Sequence, residues 1–194
     1  MGLFYIEKNS DESMLAIWEQ EAVVSRGKKR EQERLSELAL LHTLFGRDVL
    51  LDHYPNGRPF LPHLPVHLSI AHTHRFTAVL THPCREVGVD MESLERDFSA
   101  VELRALSDKE IRFLSPDREV RSLQLAVLWG AKEALFKCRS VEEVDFALQM
   151  EVEPFVPRPS GTLSAWFNDK NGQSAPFILK YKIISNHILV YVFA

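Results

Sequence analysis

The order in which helical and strand patterns follow one another is the feature that most limits what this chain can fold into. The segment "REQERLSELALLHTLFG", residues 30–46, has apolar residues at helical spacing, and turn-rich and strand-like sequence follows it as far as residue 95. A second helical pattern begins near Pro116 and ends near Cys138, and another set of strand-like segments follows it. Because helices and strands do not alternate one by one, the pattern favours an α+β fold over a doubly wound parallel sheet.

The same order of patterns occurs in both halves of the chain. We therefore predict two similar subdomains, residues 1–95 and 96–194, each with helices packed on a small antiparallel sheet. In the second half, the turn "KNGQ" separates strand-like segments, which is typical of an antiparallel meander. A diverged duplication of one α+β unit is one interpretation of this order.

Composition limits the partners of the chain. Its 194 residues include 23 Lys and Arg against 27 Asp and Glu, and the net charge of −4 gives no general attraction to nucleic acid or to an anionic membrane. Only two cysteines occur, the first residues lack the layout of a signal peptide, and no apolar run approaches the roughly 18 residues that span a bilayer. We expect a soluble, cytoplasmic protein without nucleic-acid or membrane partners, and a monomer is the simplest expectation for two halves joined in one chain.

The histidines are concentrated in one segment. Four of the eight are His67, His72, His74 and His82. No CxxC or HExxH motif accompanies them, so the pattern favours separate surface imidazoles over a zinc site.

Two acidic patterns indicate a possible metal site. The stretch "LWGAKEALFK" places Glu133 and Lys137 on one helix face, and we interpret Trp129 as a packing residue that points away from this face. The strand-like stretch "VGVDMES" places Asp90 and Glu92 on one strand face. Three carboxylates suit Mg²⁺, and the lysine would neutralise the charge of a phosphate. The alternatives are a surface ion pair on the helix and a strand end that runs into solvent.

Four short motifs between residues 56 and 137 resemble a known signature. They are "NGRPFL", "LSIAHT", "VGVDMES" and "WGAKEALFK", and together they span about two fifths of the chain. The chain resembles the 4′-phosphopantetheinyl transferases of the surfactin-synthetase-activating type, which show Gly-Lys/Arg-Pro, Ser-His-Ser, Gly-Val/Ile-Asp-x-Glu and Trp-x-x-Lys-Glu-Ala-x-x-Lys. The last two motifs are the specific ones. The resemblance implies a pseudo-dimer of two α+β halves with the active site at their junction.

The resemblance also implies roles for individual residues. The implied Mg²⁺ ligands are Asp90, Glu92 and Glu133. The implied coenzyme A contacts are Lys137 at the pyrophosphate, Arg58 and His72 at the nucleotide end, and Thr73, which keeps the hydroxyl of the family's serine. The implied catalytic residues are Glu133, which would accept a proton, and Lys137, which would stabilise the leaving phosphate.

The reaction that the resemblance implies is Mg²⁺-dependent transfer of 4′-phosphopantetheine from coenzyme A to a serine of an apo acyl or peptidyl carrier protein, with release of adenosine 3′,5′-bisphosphate. One departure from the family pattern is Ala71, which removes a hydroxyl donor beside His72. Two alternatives stay open: a coenzyme A-binding regulator without transferase activity, and another Mg²⁺-dependent hydrolase of phosphate esters. The spacing of Trp129, Lys132 and Lys137 speaks against the hydrolase.

Overall fold

The computed structural model describes residues 2–20 and 26–194, apart from the side chains of residues 26–28. The elements up to residue 93 are β1 (Gly2–Lys8), β2 (Met14–Glu19), α1 (Arg26–Phe45), β3 (Asp52–His53), β4 (Pro59–Phe60), β5 (His67–His72), β6 (Phe76–His82) and β7 (Val87–Ser93). The later elements are α2 (Ser99–Arg104), α3 (Asp108–Phe113), α4 (Arg118–Arg139), α5 (Phe146–Gln149), β8 (Met150–Val152), β9 (Ser160–Asn168), β10 (Ser174–Ile184) and β11 (His187–Phe193). These elements confirm the predicted α+β fold class.

Two antiparallel sheets carry the fold. The four-stranded sheet has the order β1-β2-β6-β5, and the five-stranded sheet has the order β7-β11-β10-β9-β8. Leu40, Leu41 and Leu44 of α1 pack on the first sheet, and the apolar side of α4 packs on the second. A third apolar cluster fills the space between the two sheets. The core therefore has three apolar layers: one between α1 and the first sheet, one between α4 and the second sheet, and one between the two sheets.

Strand β7 connects the two sheets. It pairs in antiparallel register with β11 from Val87 to Ser93, so it belongs to the five-stranded sheet although it precedes the predicted division of the chain. Along its other edge the N–H of Val89 donates to Ser69 Oγ of β5 at 3.0 Å. Val89 and Met91 also pack into the apolar cluster between the sheets. The predicted subdomain boundary itself stays a prediction.

Helix α4 begins at Arg118, slightly later than the expected start at Pro116. The carboxylate of Asp117 is the N-cap and accepts the N–H groups of Glu119 and Val120 at 3.0 and 2.9 Å. A side-chain oxygen at the N-cap satisfies backbone N–H groups that the first turn of a helix leaves unpaired. Because the cap is Asp117, Pro116 lies before the helix and not at its first position. Within the described ranges, no helix combines the length and the apolar character needed to cross a membrane.

Candidate active site between β7 and α4

The close approach of β7 to α4 determines where the site lies. A Cβ atom placed on Gly88 of β7 would lie only 1.9 Å from the carbonyl oxygen of Ala134 in α4. Asp90 and Glu92 follow Gly88 at two-residue spacing and therefore share its face of the strand. The side chains of both acidic residues contact α4.

The buried side chain of Asp90 contacts the last part of α4. Its Oδ1 accepts a hydrogen bond from Lys137 Nζ at 2.8 Å, and the same ammonium group donates to the carbonyl of Val89 at 3.1 Å. Its Oδ2 is buried and has no hydrogen-bond partner among the described residues. A buried carboxylate oxygen without a donor is costly, so this atom is suited to a further cation.

Glu92 is held by two donors. Its Oε1 accepts from the indole Nε1 of Trp129 at 2.8 Å and also from Arg96. The interpretation of Trp129 as a residue that points away from the site is therefore wrong. Trp129 precedes Glu133 by four residues, and residues four apart share a helix face. This spacing was the signal that could have identified Trp129 from the sequence.

Glu133 completes a group of three carboxylates. Burial first, and then the negative charges of Asp90 and Glu92, together raise the pKa of Glu133 to about 7, although Lys137 opposes the shift. Glu133 lies four residues after Trp129, which donates to Glu92, and four residues before Lys137, which donates to Asp90, so it shares their helix face. The structure thus brings the three predicted carboxylates to one region between β7 and α4.

The donor chemistry of this region fits a hard divalent cation. It offers carboxylate oxygens, an unpartnered Oδ2 on Asp90 and a carboxyl of raised pKa on Glu133. The described residues nevertheless contain no group of three or more His, Cys, Asp or Glu side chains already arranged for a metal. Lys137 and Arg96 instead pair with Asp90 and Glu92. The metal roles of these residues therefore stay predictions.

A cleft of about 250 Å³ lies beside the carboxylates, between β5 and the end of α4. The residues that line it include Arg58, Ser69, Phe136, Lys137 and Glu142. Arg58 is mostly buried, and its NH1 lies 3.6 Å from Glu86 Oε1. The structure therefore brings two of the predicted coenzyme A contacts, the arginine and the lysine, into one cleft.

His72 and Thr73 do not line this cleft. His72 Nε2 lies 2.8 Å from Glu37 Oε1 of α1, although the approach does not meet hydrogen-bond geometry. The hydroxyl oxygen of Thr73 accepts the N–H groups of Arg75 and Phe76 and so shapes the turn between β5 and β6. Local contacts therefore engage both side chains, and their predicted coenzyme A roles stay predictions.

Three carboxylates next to a lysine and a cationic cleft suit chemistry on a phosphate ester. The family model of the 4′-phosphopantetheinyl transferase superfamily matches residues 86–192, which is more than half of the chain. The chain belongs to this superfamily, and the resemblance is confirmed at the level of the superfamily. The matched residues include the three carboxylates and Lys137, whereas Arg58, His72 and Thr73 precede them. A comparison with curated proteins found no match.

Proposed function

We propose that this transferase moves 4′-phosphopantetheine from coenzyme A to a serine hydroxyl of an apo acyl or peptidyl carrier protein, with Mg²⁺, and releases adenosine 3′,5′-bisphosphate. Membership of the superfamily supports the type of reaction. The surfactin-synthetase-activating type, the cytoplasmic location and the monomeric state stay predictions from the sequence.

The position of Lys137 is the observation that carries the proposal. Its Nζ donates to Asp90 Oδ1 in the carboxylate group, and its side chain lines the cleft that also contains Arg58. An ammonium group has three N–H donors, and Asp90 and the carbonyl of Val89 take two of them. The third donor is suited to a phosphate oxygen in the cleft. One side chain therefore links the region for a metal to the region for an anion.

The proposed roles follow from this arrangement. Asp90, Glu92 and Glu133 would hold Mg²⁺, which when bound supplies positive charge that neutralises a diphosphate. Lys137 stabilises the charge on the leaving phosphate. Glu133 accepts the proton of the serine hydroxyl, directly or through a water, as the resemblance to the family implies. Positioning and charge stabilisation supply most of the catalysis in phosphoryl transfer.

The proposed contacts with the nucleotide end of coenzyme A involve Arg58, His72 and Thr73. The place of Arg58 in the cleft supports its proposed contact with this end of the molecule. His72 would contact the 3′-phosphate only by giving up or sharing its approach to Glu37. Thr73 would contact coenzyme A through its hydroxyl, whose oxygen already accepts the backbone N–H groups of Arg75 and Phe76.

The proposal is tested by incubating the full chain with coenzyme A, Mg²⁺ and either an apo acyl or an apo peptidyl carrier protein. The intact mass of the carrier and the release of adenosine 3′,5′-bisphosphate are then measured. A gain of one phosphopantetheine on the carrier supports transfer. Binding of coenzyme A without a gain in mass would indicate a binding protein, and phosphate release without a gain would indicate a hydrolase.

Replacing Asp90 with asparagine is expected to lower transfer at least about a hundredfold, because the change removes a charge that both the metal and Lys137 need. Mg²⁺ binding, measured by calorimetry without coenzyme A, should weaken in parallel. The matched control is Asp108→Asn, an exposed carboxylate in the first turn of α3, which should change neither quantity. Near-wild-type turnover of Asp90→Asn at saturating Mg²⁺ would exclude the proposed metal site.

Replacing Trp129 with phenylalanine is expected to lower transfer per folded molecule by roughly three- to tenfold. The ring and most of its packing against Phe146 remain, but the indole N–H that orients Glu92 is lost. Arg96 still holds Glu92, which limits the effect. Turnover and melting temperature are measured on the same samples. A fall in melting temperature with unchanged turnover would show that Trp129 only packs.

A further inference from the structure

Ser69 has an unusual place in the cleft. It lies on β5, is only 3% exposed, and lines the cleft together with Arg58 and Lys137. Its hydroxyl oxygen accepts the N–H of Val89 at 3.0 Å. Neither the sequence motifs nor the family match assigns a role to this serine.

The hydrogen bond to Val89 explains why a hydroxyl oxygen is useful here. Strand β7 is at the end of its sheet, so one of its edges presents N–H and C=O groups that β11 does not pair. No other hydrogen bond joins β5 to β7 in the described part of the chain. Ser69 therefore satisfies a buried donor at the junction of the two sheets.

The same residue of β7 also places Ser69 beside Lys137. In an antiparallel strand, the N–H and C=O groups of one residue point to the same edge. The N–H of Val89 donates to Ser69, and its C=O accepts from Lys137 Nζ at 3.1 Å. The hydroxyl and the ammonium group thus lie next to each other on one edge of β7, at the wall of the cleft.

Ser69 retains a donor that this bond does not use. A hydroxyl can accept and still donate its own proton, and no contact of the described residues takes that proton. Lys137 retains one N–H, and Arg58 adds a second cation to the cleft. The carboxylates nearby are Asp90, which takes another N–H of Lys137, Glu86, which pairs with Arg58, and Glu142, which also lines the cleft. A hydroxyl with two cations suits a ligand that carries a diphosphate.

We propose that the Ser69 hydroxyl donates to the diphosphate of a ligand in this cleft while its oxygen holds the N–H of Val89. The identity of that ligand as coenzyme A rests on the proposed function. Ser69 would then be a binding residue for the phosphates and not only a link between the sheets.

The test measures binding of ADP, coenzyme A and adenosine to the full-length wild type, Ser69→Ala and Ser69→Thr. We expect Ser69→Ala to weaken ADP and coenzyme A about tenfold, because a hydrogen bond to a charged group is lost. Adenosine, which has no phosphate, should bind the wild type and Ser69→Ala equally. Ser69→Thr keeps the hydroxyl and should stay close to the wild type for all three ligands.

Ser36→Ala is the matched control. Ser36 is equally buried, at 3% exposure, and its hydroxyl bonds to Glu33 O and Thr77 Oγ1 between α1 and β6. This variant should lose stability without losing affinity for ADP. If Ser69→Ala also lowers only the melting temperature, or if it weakens ADP and adenosine equally, Ser69 is structural and the proposal is overturned. A wild type that binds ADP through Ser69 but transfers no phosphopantetheine would instead refute the proposed function alone.

Discussion

Gly88→Ala is expected to destabilise the protein by about 4 kcal/mol or more, because the new methyl group meets helix backbone. A Cβ at this position would lie 1.9 Å from Ala134 O and 2.8 Å from the backbone nitrogen of Cys138. Neither atom belongs to a flexible side chain, so β7 and α4 would have to move apart. Because Asp90 and Lys137 meet across this contact, the site should be lost together with the stability.

Two other glycines provide a graded comparison for this variant. At Gly130 of α4 the nearest atom is a side-chain methyl of Val190, 2.9 Å from the added Cβ, and alanine is also the better helix former. At Gly2 nothing lies within 4 Å. Denaturant unfolding should therefore rank the losses as Gly88→Ala far above Gly130→Ala, with Gly2→Ala near zero. A Gly88→Ala variant within 1 kcal/mol of the wild type, on the order of a surface change, would contradict the close packing of β7 on α4.

Lys132→Met is the second change with a large expected effect. Lys132 is fully buried, and its three N–H groups are shared among four acceptors: Glu110 Oε2 at 2.6 Å and the carbonyls of Ala105, Phe146 and Met150. Methionine fills the space but removes the N–H donor of three carbonyls and the cation of a buried carboxylate, which keeps the N–H groups of Ser107 and Val152. We expect a loss of about 3–5 kcal/mol in the free energy of unfolding, as for other broken buried ion pairs.

A neighbouring surface pair separates this effect from the loss of any lysine. Lys109 Nζ lies 2.9 Å from Glu151 Oε2, but the lysine side chain is largely exposed. Lys109→Met should cost no more than about 1 kcal/mol. Adding Glu110→Met to Lys132→Met should recover only part of the loss. The unpaired charge is then removed as well, but the N–H groups of Ser107 and Val152 lose their acceptor. Equal losses for the two lysine variants would show that the buried pair does not hold α4 in place.

The buried pair also explains how α4 is oriented for function. Glu110 lies in α3, whereas the carbonyls of Phe146 and Met150 belong to α5 and β8. Lys132 ties α4 to all three elements, and its neighbour Glu133 points to the carboxylate group on β7. The rotation of α4 about its axis is therefore fixed by contacts on a different face of the helix from the site.

Much of the site could be predicted from short-range patterns. Strand alternation put Asp90 and Glu92 on one face, and helix spacing put Glu133 and Lys137 on one face. These relations depend only on the period of each element, so a few residues of sequence are enough. Trp129 follows the same rule, because its four-residue separation from Glu133 also places it on that helix face. The interpretation that it points away from the site overlooks this spacing.

The sequence by itself determined the α+β class, the long helix of the second half and which acidic side chains share a face. The tertiary structure alone decided that β7 pairs with the distant β11, that Ser69 of β5 accepts the N–H of β7, and that Lys132 is buried while Lys137 reaches the cleft. Each of these depends on residues far apart in the chain, and local periodicity carries no information about such pairs. The reason is that burial and hydrogen-bond pairing are properties of the packed elements, whereas periodicity is a property of one element at a time.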